Sequence, residues 1–116
     1  MKLSARVRFL LTVCVLASTS CAAPDRVAQP SSQTHVIEIT GLKFVPENVN
    51  AQPGDTITWV NLDIAPHTAT SKDGSWNTGT LAKNESKSLV VAEGMSSAYF
   101  CKFHPAMTAT IATENK

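Results

Sequence analysis

Hydrophobic and polar positions alternate with a period of two in several short stretches of the last 83 residues. His35-Val-Ile-Glu-Ile-Thr40 puts Ile37 and Ile39 on one side, and Asp55-Thr-Ile-Thr-Trp-Val-Asn61 does the same with Ile57 and Trp59. Ser86-Lys-Ser-Leu-Val-Val91, Ser97-Ala-Tyr-Phe-Cys101 and Thr108-Ala-Thr-Ile-Ala-Thr113 read the same way. These runs are rich in β-branched and aromatic residues, which suit a pleated, half-buried surface. Between them lie turn formers at Pro46, Pro53-Gly54-Asp55, Asp73-Gly74, Asn84 and Glu93-Gly94. No stretch of this region sustains a 3.6-residue apolar period. The pattern predicts an all-β domain, a compact antiparallel sandwich or barrel, over residues 34–116. Its predicted core is Ile37, Ile39, Ile57, Trp59, Leu89, Val91, Tyr99 and Ile111.

The first residues follow a different logic. Lys2, Arg6 and Arg8 precede an apolar run from Phe9 to Ala17, with no acidic residue before it. A membrane-spanning helix needs about 20 apolar residues, so this run is too short and reads instead as an export signal over residues 1–21. Two kinds of cleavage fit: after Ala22 or Ala23, or directly before Cys21. The second would leave a lipid-bearing N-terminal cysteine, since Ser18-Thr-Ser-Cys21 resembles a bacterial lipobox except that Ser18 stands where Leu is usual. Residues 22–33 are rich in Pro, Ser and Ala and read as a flexible tether. The expected location is the periplasm or cell envelope, with a possible membrane tether through Cys21.

Composition narrows the field further. A chain of 116 residues has room for one small domain and an appendage, which excludes a multidomain enzyme. Its formal net charge of +1 offers no footprint for nucleic acid. Removing residues 1–21 takes away three basic groups and no acid, leaving seven basic against nine acidic residues and a formal −2.

The cysteines point to chemistry. Of the three, Cys14 and Cys21 lie in the leader, and Cys101 is left without a partner in the domain. A lone thiol in an exported protein calls for a reason. Cys101-Lys-Phe-His104-Pro-Ala-Met107 sets a thiolate, an imidazole and a thioether three residues apart at the junction of two strands. Ala65-Pro-His67 offers a second imidazole in the turn after Trp59. Two imidazoles, one thiolate and one weak thioether are the ligand set of a type 1 copper site. Zinc is a poorer match, because structural zinc sites favour several thiolates and methionine binds zinc poorly. A multicopper oxidase is excluded, since the chain has only three histidines.

These residues resemble those of the cupredoxins, the small blue copper proteins, in their amicyanin and plastocyanin branch. Phe44-Val-Pro46 and Gly54-Asp-Thr-Ile-Thr-Trp59 are similar to the family's F-x-P segment and the G-D-T-V-T-W run that follows it, Ala65-Pro-His67 to its first-ligand turn, and Cys101-x2-His104-Pro-x-Met107 to its short ligand loop. The resemblance implies a Greek-key β-sandwich or barrel of about seven to eight strands. It implies one copper ion on His67, Cys101, His104 and Met107, and a monomeric one-electron carrier that is not an enzyme. Its partner would be a redox protein such as a c-type cytochrome, quinoprotein dehydrogenase or oxidase, with His104 near the surface as the electron port. The chain departs from the family at Thr68, where many members have an Asn that stiffens the site, and at Lys102, where many have Ser or Thr. A copper-delivery protein without an electron-carrier role would use the same ligands in a more open site, and Thr68 is the feature that points there. A thiol enzyme built on Cys101 and His104 lacks a recognisable oxyanion hole or orienting residue. His35 reads as an ordinary strand residue, and Trp76 as an aromatic packed under a loop.

Overall fold

The computed structural model describes residues 20–23 and 31–113, so residues 1–19 of the expected export signal and 24–30 of the expected tether lie outside the described residues. The strands are β1 (Thr34–Thr40), β2 (Lys43–Val45), β3 (Asn48–Ala51), β4 (Thr56–Asn61), β5 (Thr70–Ser71), β6 (Ser86–Val90), β7 (Ala98–Phe100) and β8 (Thr108–Thr113). They form two four-stranded sheets, ordered β2-β1-β4-β6 and β3-β8-β7-β5. No helix occurs among the described residues.

The strands are not all antiparallel. β1 runs parallel to β4, with Ile37 beside Trp59, and β3 runs parallel to β8, with Val49 beside Ile111. Topology explains the difference from the simple antiparallel expectation. After the β1–β2 hairpin the chain crosses to the other sheet as β3, and it returns as β4 pointing the same way as β1. Such a crossover is what parallel neighbours require. β2, β3 and β5 were not foreseen, because each has only two to four residues and none lies inside a longer alternating run, as the three residues of β7 do within Ser97–Cys101.

Alternation does place the core between the sheets. Ile37, Ile39, Ile57, Trp59, Val91, Tyr99 and Ile111 are all essentially inaccessible to solvent, whereas Leu89, on edge strand β6, is only partly buried against them. Phe44 from the short β2 joins them, its ring edge-on to Tyr99 at 4.7 Å. Trp76 covers one side of the core as expected. It lies 5.4 Å from Trp59 and 5.5 Å from Tyr99, and its Nε1–H donates to the Ser96 carbonyl at 3.0 Å. Full burial of one such side chain is worth roughly 1.5–3 kcal/mol, so this cluster joins the two sheets into a rigid frame.

The two ends of the frame differ. At one end the β1–β2 turn (Gly41-Leu42), the loop after β4 and the β7–β8 loop come together. At the other, Asp55 ties the chain where β1 and β4 begin, accepting from the amides of Gln33 and Gln52 at 2.9 Å each and from His35 Nε2 at 3.0 Å. His35 is thus part of a staple rather than an ordinary strand residue.

Candidate metal centre

The spacing of Cys101, His104 and Met107 corresponds to two successive tight turns. His104 N–H donates to the Cys101 carbonyl at 3.2 Å and Met107 N–H to the His104 carbonyl at 2.8 Å, while Cys101 N–H closes the loop on the Met107 carbonyl at 3.1 Å. Each three-residue step therefore brings the next side chain back towards the same point. Pro105 fits inside the second step, where no amide donor is needed from it.

His67 is held from the other side. Its amide and carbonyl both bond to Leu81, at 3.1 and 2.8 Å, in an isolated antiparallel bridge. Buried Asn61, at the end of β4, organises the intervening loop: its Nδ2 donates to the carbonyls of Ala65 and Leu81 at 2.9 Å each, and its Oδ1 accepts from Asp63 N–H at 2.9 Å.

Together these supports bring His67, Cys101 and His104 into one group, with ligand atoms within 4.8 Å of one another. Cys101 Sγ lies 3.6 Å from His67 Nδ1 and 3.8 Å from His104 Nδ1, and the two Nδ1 atoms are 3.2 Å apart. A point equidistant from the corners of that triangle is about 2 Å from each, close to ordinary metal–imidazole and metal–thiolate bond lengths. The donor set and the dimensions both suit a soft transition metal such as copper. His67 and Cys101 are fully buried, whereas His104 is half-exposed. Met107, also buried, lines a shallow surface depression with Leu42, His104, Pro105 and Ala106.

Around the triangle stand residues that the sequence reading did not assign. Asp63 Oδ2 lies 3.0 Å from His67 Nε2. With Nε2–H donating there, Nδ1 keeps the lone pair that a ligand needs. The same carboxylate accepts from Leu42 N–H at 3.0 Å and Gly41 N–H at 2.8 Å. The Leu42 amide first, then the Gly41 amide and the His67 imidazole, hold the Asp63 carboxyl below the usual carboxylate range despite some opposing effect of burial. Nothing in the sequence marks this role, because a four-residue separation in an irregular loop implies no contact.

Thr68 does not loosen the site. Its Oγ1 accepts from Lys102 N–H at 3.0 Å and lies 3.0 Å from Thr70 Oγ1, and its own N–H points to Cys101 Sγ at 3.4 Å. The His67 turn and the Cys101 loop are therefore stitched together by a hydroxyl. Lys102 contributes only its backbone amide to this link, and its side chain is exposed.

Comparison with known proteins agrees with this geometry. Residues 32–114 match a family described as copper binding proteins, plastocyanin/azurin family. The chain is 26% identical over 126 residues to amicyanin of Paracoccus denitrificans, covering 94% of this chain and 96% of that one. It is similar to the crystal structure of amicyanin from Paracoccus versutus, with 27% identity, a TM-score of 0.61 and coverage of 75% of this chain and 86% of that one. A Cu(I) form of an amicyanin variant matches with 26% identity and a TM-score of 0.61, covering 77% of this chain and 87% of that one.

Proposed function

Because the chain belongs to the plastocyanin/azurin family of copper-binding proteins, we propose that His67, Cys101 and His104, with Met107 as a weaker fourth ligand, would hold its single copper ion. The protein is a cupredoxin electron carrier; when bound, copper supplies a one-electron couple between Cu(II) and Cu(I). The observation that carries the ligand assignment is the triangle of Nδ1, Nδ1 and Sγ atoms, of a size that fits one metal ion.

The chain's own residues account for fast transfer in two ways. His67 and Cys101 are sealed from water and fixed by backbone hydrogen bonds, so little has to move when charge changes. His104 sits at the surface beside Phe103 and Pro105, which offers a short path from the site to a docked partner. The copper-delivery reading rested on an open site at Thr68, and the Thr68–Lys102 bond removes that basis.

The finer assignments extend this reading. The leader and tether fit an exported protein of the periplasm, either free after signal cleavage or held to a membrane through Cys21. The partner is a redox protein such as a c-type cytochrome, a quinoprotein dehydrogenase or an oxidase. In keeping with its copper-binding family, the protein acts as a carrier and not as an enzyme.

A titration with Cu(II), followed by visible spectroscopy, tests the assignment. Wild type should develop an intense blue thiolate-to-copper band at one equivalent, and Cys101→Ser should lose it while staying folded. Tight binding without colour would overturn the electron-carrier site.

A further inference from the structure

We propose that Asp63 is a positioning residue that joins the buried ligand His67 to the Gly41–Leu42 turn beside His104, and that its negative charge favours the more highly charged state of the metal. This proposal rests on the copper reading above. Its basis is one small carboxylate with three donors. Oδ1 accepts from Gly41 N–H, and Oδ2 accepts from Leu42 N–H and His67 Nε2–H. A backbone carbonyl could orient His67, but it could not also gather the two turn amides with a second oxygen.

The turn needs that support. Gly41 and Leu42 both have φ of 60°, as a two-residue hairpin linking Thr40 to Lys43 requires. The Cβ of leucine disfavours this left-handed backbone, and the hydrogen bond from its amide to Asp63 offsets part of that strain. Leu42 also lines the depression that contains His104, so the carboxylate ties the wall of the electron port to the buried ligand on its other side.

The charge argument is independent of the positioning one. An aspartate is ionised at neutral pH, since its ordinary pKa is about 3.9. Among the described residues no lysine or arginine is within ion-pair distance of Asp63; its only such neighbour is His67. A largely shielded negative charge one imidazole ring from the metal stabilises Cu(II) more than Cu(I).

The test compares Asp63→Asn and Asp63→Ser with Glu93→Gln, which removes a carboxylate from the turn after β6. Reduction potential is measured on copper-loaded protein, and amide hydrogen exchange at Gly41 and Leu42 by NMR on the reduced protein. Both Asp63 variants should weaken Cu(II) relative to Cu(I) about tenfold, a rise of ~59 mV for one electron, and speed exchange at the two amides at least about tenfold; the serine variant carries the test if the asparagine one does not fold. Glu93→Gln should change the affinity ratio less than about twofold. A Cu(II)/Cu(I) affinity ratio within twofold of wild type in blue Asp63 variants overturns the proposal, as does an equal shift in Glu93→Gln. Faster exchange with an unmoved potential reduces Asp63 to a structural role and also overturns it. Absence of a blue band in wild type would instead sink the copper reading, with amide exchange still deciding whether Asp63 holds the turn.

Discussion

A hydroxyl at position 68 decides how firmly the two ligand-bearing segments are joined. Thr68 is 4% exposed, and its Oγ1 is the acceptor for Lys102 N–H, which sits directly after the cysteine. Replacing it with the near-isosteric valine would leave that amide without its acceptor, at a cost of about 1–3 kcal/mol. Thr68→Val should therefore lower the denaturant midpoint and speed loss of copper to a chelator, with the blue band retained at first. The residue type at 68 was visible in the sequence as a departure from the family. What it does was not visible, because Asn and Thr reach a partner amide with side chains of different length and only the folded distance shows that the shorter one arrives. Cys101, His104 and Met107 were legible as ligand candidates because their three-residue spacing carries them, and His67 because its turn resembles the family's first-ligand turn. Asp63 and Asn61 were not, since their partners lie on segments remote in sequence.

At the scale of elements, period-two alternation found β1, β4, β6, β7 and β8 and most of the core. It missed β2, β3 and β5, and it could not distinguish parallel from antiparallel neighbours, because side-chain alternation is the same in both. It placed the turn at Pro53-Gly54-Asp55 correctly, where Asp55 N–H donates to the Gln52 carbonyl at 3.0 Å, but not the Asp55 side chain's part in binding the starts of β1 and β4 together. The amides of Gln33 and Gln52 and the His35 ring hold its carboxyl down at about 2. A carboxyl with a lower pKa folded than unfolded binds protons more readily in the unfolded chain. Its stabilising effect is therefore present above its ordinary value and fades as pH falls from about 4 to about 2. Asp55→Asn should lower Tm at pH 7, with the difference from wild type shrinking across that window in thermal melts followed by circular dichroism.

Over the whole molecule, surface character sorts by end. Leu42, Ile64 and Phe103 are 51%, 86% and 51% exposed, and they come from three separate loops at the metal end. Exposed Lys43 and Lys102 flank them, and the acid in those loops, Asp63, is turned inward to three donors. An apolar patch with this rim around a half-exposed ligand suits brief docking with a redox partner. Leu42→Asn would remove apolar contact area while keeping a residue that tolerates positive φ. Electron self-exchange between the Cu(I) and Cu(II) forms, measured by NMR line broadening, should slow several-fold, with the visible spectrum unchanged.

By itself the sequence determined an all-β domain, the greater part of its core, and a donor set of two imidazoles, a thiolate and a thioether. All of these depend on residue type and short-range spacing, which the chain carries without folding. Only the tertiary structure decided that His67, 34 residues before Cys101, stands 3.6 Å from its sulfur, that Thr68 closes the gap to Lys102, and that Asp63 serves ligand and turn together. Those contacts depend on how two sheets stack and three loops meet at one end, and distance along the chain says nothing about distance across that end.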